Sequence, residues 1–223
     1  MLRFFKDMTE NDYRQAIIAC GRICYERHLL TSNDGNISVR LDDGRVLITP
    51  SGICKGRMDL ADLLLLDMNG KVHSAREGCK PSSETSMHLE VYKQRPDVNA
   101  VLHAHPVFAT TLTVSDSPFP VDVLPEVLLT LGDVPTTRYA TPSSHDDAEA
   151  IRELIKSHDA VLLRQHGSLT VGKDLDTALT ALERIEHVAE VFWRAQMLGK
   201  VNRIPDADMA ELLKIRERFK VEM

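Results

Sequence analysis

The stretch SNDGNISVRLDDGRVLITPSG, residues 32–52, decides the fold class. It contains two apolar runs separated only by a DDG turn, in which Gly44 permits a tight reversal of the chain. A second pair of short runs, DLLLLDMNGKVHS at residues 62–74, turns at Asn69 and Gly70 in the same way. Strands joined directly by short turns pair antiparallel. The two hairpins therefore predict a mainly antiparallel sheet, unlike the parallel sheet of a doubly wound nucleotide-binding fold.

Helical patterns flank these strands along the chain. Thr9 and Asp12 resemble a capping box that opens the first helix. The predicted helices are AIIACGRICYERHLL (16–30), PSSETSMHLEVYKQR (81–95), PVFATTLTV (106–114), DDAEAIRELIKSH (146–158), DLDTALTALERIEHVAEVFWRAQML (174–198) and the tail at 205–220. The first half of PEVLLTLGDVPTTRYA (125–140) fits either helix or strand, and AVLLRQHGSLTVG (160–172) is a hairpin or a bent strand. Together these elements predict one α/β domain over residues 1–223, with helices on both faces of the sheet.

Length and charge narrow the class of function. The 223 residues are 43% hydrophobic and carry a net charge of −6, which argues against a general nucleic-acid binder but allows an anionic small molecule. The start, MLRFFKDMTE, has no apolar signal core, and no run reaches the length of a membrane span, so we expect a cytoplasmic protein. Cys20 and Cys24 lie four apart on a predicted helix, where filling of the core is favoured over a metal site.

The run VLHAHP, residues 101–106, carries two histidines on a predicted strand. Side chains at i and i+2 share one face of a strand, so Val101, His103 and His105 point the same way, with about 6–7 Å between the two histidine Cβ atoms. Each ring could then reach one zinc ion, although a hydrogen-bonded structural pair remains an alternative. A third histidine, His166, ends the apolar run AVLLRQHG beside Gly167, where a turn would open a pocket.

Glu84 is the candidate carboxylate. It lies in the first turn of the helix begun by PSSE, where Ser82, Ser83 and unpaired backbone N–H groups could bind an anion. The alternative is that Glu84 only favours the helix dipole and that the serines cap the helix. His88, one turn further along, is assigned to packing or to support of the other groups.

Five separated motifs resemble one family. In chain order they are GNIS (35–38), TPSG (49–52), PSSE (81–84), HAHP (103–106) and RQHG (164–167). Their order and spacing are similar to those of the class II aldolase/adducin family, over about residues 9–195. The resemblance implies an α/β/α sandwich around a mainly antiparallel sheet, which agrees with the hairpins.

The resemblance also implies a site and a reaction. It implies an aldolase that cleaves a ketose 1-phosphate to dihydroxyacetone phosphate and an aldehyde through a metal-stabilised enediolate, in a homotetramer with active sites at subunit interfaces. Glu84 would act as acid/base and would ligate the ion before substrate arrives. Family members use a tyrosine or a carboxylate as a second acid/base, for which we choose Glu126 in LPEVLLTLG. The implied ligands of Zn²⁺, or of another divalent ion, are His103, His105, His166 and Glu84; the implied phosphate-binding residues are Gly35, Asn36, Ser51, Gly52, Ser82 and Ser83.

Other functions within the same resemblance stay open. One is a methylthioribulose-1-phosphate-type dehydratase, and another is a sugar-phosphate epimerase, although the epimerases resembled here carry Asp rather than Glu after the paired serines. A third is a non-catalytic adducin-like interaction module, but retention of every metal position favours an enzyme. Because this chemistry needs no lysine Schiff base, Lys55 and Lys80 are assigned to charge or surface roles.

Overall fold

A computed structural model describes residues 8–222 as a seven-stranded sheet with helices on both faces. All pairs between its strands are antiparallel, and the strand order is β4-β3-β2-β1-β5-β7-β6. The strands are β1 (Asn36–Arg40), β2 (Val46–Ile48), β3 (Leu64–Leu66), β4 (Val72–Ser74), β5 (Ala100–Ala104), β6 (Ala160–Leu163) and β7 (Gly167–Gly172). Both predicted hairpins are confirmed, as β1–β2 and β3–β4. Residues 1–7, for which the sequence predicts no signal segment, lie outside the described part, as does residue 223.

Alternating residues of β5 enter two different cores. Leu102 packs in a core with Ile17 and Leu182, whereas its neighbour Val101 packs in another with Met87 and Ile151. The α-helices are α1 (Glu10–Glu26), α2 (Thr85–Gln94), α3 (Val107–Val114), α4 (Pro125–Thr130), α5 (His145–Arg152), α6 (Leu175–Met197) and α7 (Asp206–Glu222). Helices α1, α3 and α6 cover the first core, and α2 and α5 cover the second. The predicted α/β/α sandwich is therefore confirmed. Within residues 8–222, no helix is both long and apolar enough to span a membrane.

Two helices end earlier than the sequence predicts. The capping box at Thr9 is present, but α1 stops at Glu26 rather than at residue 30, because His28 takes a left-handed backbone (φ 59°) and the chain turns back over the core. The predicted helix 146–158 is α5 followed by a separate 3-10 turn at Leu154–Lys156. The Arg95 side chain donates to the carbonyl of Ile155 in that turn, so a tertiary contact satisfies it.

The segments that the sequence left ambiguous adopt one form each. The first half of residues 125–140 forms the short helix α4, which begins with Pro125 in its first turn. Residues 160–172 form the hairpin β6–β7, whose turn places Gln165 in the left-handed region (φ 54°). Cys20 and Cys24 are buried in the core, as predicted.

Candidate metal centre

Three imidazole rings converge at one end of the central strands. His103 is the fourth residue of β5, His105 follows the end of that strand, and His166 lies in the turn between β6 and β7. Their ligand nitrogens all lie within 4.8 Å of one another. Gly167 makes this approach possible, because a Cβ there would lie 2.4 Å from the Ala104 carbonyl oxygen and 2.7 Å from the His105 ring. The predicted convergence of the three histidines is thus present in the fold.

Burial keeps two of these rings neutral. Burial, followed by the neighbouring histidines, lowers the pKa of both His103 and His105 to about 3. The Nδ1–H of His103 donates to the Ser168 carbonyl oxygen (2.9 Å), so its Nε2 carries no proton and faces the centre. His105 Nε2 lies 2.9 Å from His103 Nε2, and His105 Nδ1 lies 3.9 Å from the Asp34 carboxylate. Neutral imidazoles held in this way are the form that binds a metal ion.

Glu84 completes the cluster. It is the N-cap residue of α2, one position before the helix, but its side chain makes no capping hydrogen bond. Its carboxylate oxygens instead lie 3.3 Å from His103 Nε2 and 3.3 Å from His166 Nε2. Asn36 donates to Oε2 of Glu84 (2.8 Å), the oxygen beside His103, and Oε1 is the oxygen beside His166. A role limited to the helix dipole does not account for this placement.

The cluster fits a divalent cation. Within residues 8–222, the buried Oε1 of Glu84 has no hydrogen-bond partner, although a buried carboxylate oxygen normally has one. Ligand atoms around a tetrahedral zinc ion lie about 3.3 Å apart, which is close to the separations of 2.9 and 3.3 Å found here. A cation would satisfy the orphaned oxygen and the unprotonated nitrogen of His103 together. His103, His105, His166 and Glu84 are therefore the groups that would hold it.

A polar cavity of about 200 Å³ opens beside the histidines. Gly35 lines this cavity and packs closely against β5. A Cβ on Gly35 would lie 2.6 Å from the His103 carbonyl oxygen, and the φ of 68° at this position also favours glycine. His105 and His166 line the cavity, whereas His103 is fully buried below it. All six residues predicted to bind phosphate line the cavity: Gly35, Asn36, Ser51, Gly52, Ser82 and Ser83.

Several cavity residues, among them Lys55 and Ser143, were not predicted from the sequence. Lys55 is only 2% exposed and donates to the Asn33 carbonyl oxygen (2.6 Å), so its assignment to the surface is wrong and a charge role remains. Burial lowers its pKa to about 8. Ser143 donates to the Ser83 hydroxyl (2.7 Å) from a loop that precedes α5. The signals were faint: Lys55 lies three residues after the TPSG motif, and TPSS at residues 141–144 resembles the PSSE serine pair.

Glu126 lies elsewhere in the subunit. It is exposed in the first turn of α4 and lines a different cavity, together with Arg184 and His187 of α6. The structure does not bring Glu126 to the histidine cluster within one subunit. Its assignment as second acid/base stays a prediction.

Known proteins are similar to this chain in sequence and in fold. The family model for the class II aldolase and adducin N-terminal domain matches residues 15–193. A 3-oxo-tetronate 4-phosphate decarboxylase of Haemophilus influenzae is 33% identical over 209 residues, which are 92% of this chain and 98% of that protein. An L-fuculose phosphate aldolase of the same organism is 36% identical over 185 residues, covering 82% of this chain and 83% of that one. A solved L-fuculose 1-phosphate aldolase superposes with a TM-score of 0.85 at 31% identity, over 96% of this chain and 98% of that one. The chain belongs to the class II aldolase and adducin family and is an enzyme of it.

Proposed function

We propose that this chain is a zinc-dependent aldolase that cleaves a ketose 1-phosphate to dihydroxyacetone phosphate and an aldehyde. The observation that carries the proposal is the Glu84 carboxylate, whose orphaned Oε1 lies 3.3 Å from His166 and whose Oε2 lies 3.3 Å from His103, beside a cavity lined by hydroxyl and amide groups. Three imidazole nitrogens and one carboxylate oxygen form a donor set that suits zinc. The Glu84 carboxylate, which lies near these nitrogens, would complete the set of groups that hold the ion.

The cavity supplies donors for a phosphate group. Ser51, Ser82 and Ser83 offer hydroxyls, and the backbone at Gly35 and Gly52 can approach an anion closely because neither residue carries a side chain. Lys55 adds the positive charge that these groups lack. Its ammonium group donates one N–H to the Asn33 carbonyl oxygen, which leaves two N–H groups for a ligand.

The proposed cleavage moves two protons. The electron pair of the broken carbon–carbon bond passes to the ketone half, which takes up one proton at carbon, while the hydroxyl of the other half loses a proton as it becomes an aldehyde. A bound zinc ion supplies a Lewis acid that withdraws electrons from the substrate carbonyl. We assign the proton at carbon to Glu84, because Asn36 fixes one of its oxygens and the other stays free for proton transfer.

We assign the hydroxyl proton to Glu126 of a neighbouring subunit in a homotetramer. Glu126 is exposed on α4 and lies away from the cavity of its own subunit, so this role requires the active site of a neighbour. An exposed carboxylate can reach a second active site only across a subunit boundary.

Decarboxylation of a 3-oxo sugar-acid phosphate is the second candidate. It would use the same metal and the same carbon anion, but departure of CO₂ needs no base for a leaving hydroxyl. The position of Glu126 away from the cavity favours this candidate, as does the 33% identity to a decarboxylase.

A substrate panel tests these proposals on zinc-loaded protein. Ketose 1-phosphates are assayed by coupled detection of dihydroxyacetone phosphate, 3-oxo-tetronate 4-phosphate by release of CO₂, and methylthioribulose 1-phosphate by loss of one water in mass spectrometry. We expect dihydroxyacetone phosphate from at least one ketose 1-phosphate, and activity that is lost on chelation and restored by zinc. Release of CO₂ without cleavage of any ketose 1-phosphate would replace the aldolase by the decarboxylase. Loss of water alone would overturn both.

A further inference from the structure

A chain of buried hydrogen bonds runs from Glu84 into the core beneath α2. Asn36 donates to Glu84, and the Oδ1 of Asn36 accepts from His88 Nε2. Ser38 lies 2.6 Å from His88 Nδ1 and 2.8 Å from the Tyr92 hydroxyl. Glu84, the N-cap of α2, is followed at intervals of four residues by His88 and Tyr92 on the helix. Asn36 and Ser38 lie two residues apart on β1. The helix face and the strand face therefore present alternate members of one chain.

The donors and acceptors of this series of hydrogen bonds all point in one direction. The amide NH₂ of Asn36 donates to the Glu84 carboxylate, so the amide oxygen of Asn36 faces His88. His88 must then carry its proton on Nε2, which leaves Nδ1 to accept from Ser38. With its own proton committed, Ser38 accepts from the hydroxyl of Tyr92. Each hydrogen bond therefore has a fixed donor and a fixed acceptor, from the Tyr92 phenol to the Glu84 carboxylate.

Reversal of every donor and acceptor in this series of hydrogen bonds would leave the buried Tyr92 hydroxyl without an acceptor. If Asn36 turned over, its oxygen would face Glu84, His88 would donate to Ser38, and Ser38 would donate to Tyr92. The Tyr92 hydroxyl would then need another acceptor, but within residues 8–222 Ser38 is its one hydrogen-bond partner. Tyr92 is 2% exposed and His88 is fully buried, so solvent does not supply an alternative.

We propose that His88 is a positioning residue that holds the Asn36 amide in one orientation and so places the Glu84 carboxylate against His103 and His166. The burial that surrounds His88 also lowers its pKa to about 3, so the ring stays neutral and keeps one donor and one acceptor. Replacement of His88 by an apolar residue would preserve the packing of α2 but would release Asn36. The effects on catalysis and on zinc affinity rest on the proposed function, whereas the position of the His88 proton does not.

Two variants of similar size separate the positioning role from packing. His88→Gln places an amide N–H near the Nε2 position and can still donate to Asn36, whereas His88→Asn reaches only the Nδ1 position. We expect zinc affinity, measured by competition with a chromophoric chelator, to stay within about threefold in His88→Gln and to fall about tenfold in His88→Asn. Val91→Ala, a buried change on α2 without polar contacts, is the control and should leave zinc affinity unchanged.

The second readout is the tautomer of His88. Solid-state NMR of protein labelled with ¹⁵N-histidine, with the signal assigned by its absence from His88→Gln, should show a protonated Nε2 and a bare Nδ1. Tyr92→Phe removes only the terminal hydroxyl and should add a population of the other tautomer, so it carries the test if the His88 variants do not fold. A protonated Nδ1 in the wild-type protein would overturn the proposal. Equal zinc affinity in His88→Asn and His88→Gln would overturn it as well. Both readouts are taken without substrate, so they can fail while a lyase activity is found, or hold while none is.

Discussion

Asn36 and His103 lie directly opposite each other on the neighbouring strands β1 and β5. This register puts the amide of one and the imidazole of the other on the face that α2 covers. Glu84, at the start of α2, has one carboxylate oxygen 2.8 Å from the Asn36 amide nitrogen and 3.3 Å from His103 Nε2. A shift of one residue would turn either side chain to the opposite face of the sheet. The pairing of two strands therefore assembles the candidate site.

Replacement of Glu84 by glutamine should stop proton exchange at carbon while zinc remains bound by the three histidines. The amide keeps the size of the side chain but cannot accept and return a proton. We expect exchange of deuterium from D₂O into dihydroxyacetone phosphate, followed by proton NMR, to slow by about a hundredfold or more. Glu77→Gln, which changes an exposed glutamate, is the control. Exchange at the wild-type rate in Glu84→Gln would refute the assignment of Glu84.

Replacement of Lys55 by methionine should weaken binding of phosphate. A charge-assisted hydrogen bond is lost, so we expect the KM for the phosphorylated substrate and the inhibition constant of inorganic phosphate to rise about tenfold, with kcat little changed. Since the pKa of Lys55 is about 8, phosphate affinity of the wild-type protein should also fall as pH rises through 8. Lys93→Met removes an exposed charge from α2 and serves as the control. An unchanged inhibition constant in Lys55→Met would remove Lys55 from the anion site.

The metal-free protein should lose stability as pH falls below about 6.5. His88, His103 and His105 have pKa values lowered to about 3 in the folded protein, so the unfolded chain takes up protons near its ordinary histidine pKa of about 6.5 that the folded chain cannot. Each histidine then lowers the free energy of unfolding by about 1.4 kcal/mol per pH unit until its folded pKa is reached. Urea denaturation at pH 7, 6 and 5 measures the slope before most carboxylates titrate. An unfolding free energy that does not change between pH 6.5 and 5 would contradict the buried, neutral rings.

If Glu126 acts across a subunit boundary, mixed oligomers should recover activity. Glu126→Gln and Glu84→Gln should each be nearly inactive alone, because each lacks one of the two acid/base groups. When the two variants are unfolded together and refolded, some sites combine an intact Glu84 with an intact Glu126 of a neighbour, and activity should return. Full activity of Glu126→Gln alone would show that another group, or none, takes the hydroxyl proton.

Local patterns were sufficient to predict most of the sheet and the convergence of the three histidines. The two-residue period of β5 puts His103 on one face, and Gly167 after His166 indicates the turn that brings the third ring in. Both signals lie within a few residues of the groups that they position. The same holds for the glycine turns of the β1–β2 and β3–β4 hairpins.

Features set by distant contacts were not predictable in this way. Lys55 is buried because the 3-10 turn Lys55–Arg57 packs against α1, where a Cβ on Gly21 would lie 2.6 Å from the Lys55 carbonyl oxygen. The early end of α1 depends on the left-handed backbone of His28, a conformation with no strong sequence signal for histidine. Ser143 reaches Ser83 across 60 positions of sequence, so only the fold shows their contact.

Zinc content is the most direct measurement of the central claim, that three histidines and Glu84 hold one divalent cation. The wild-type protein, loaded with zinc and freed of excess ion, is compared by elemental analysis with His103→Ala and with His73→Ala, which changes an exposed histidine on β4. We predict about one zinc ion per subunit in the wild-type and His73→Ala proteins. Most of the zinc should be lost in His103→Ala. Full zinc occupancy in His103→Ala would contradict the metal centre and the chemistry proposed on it.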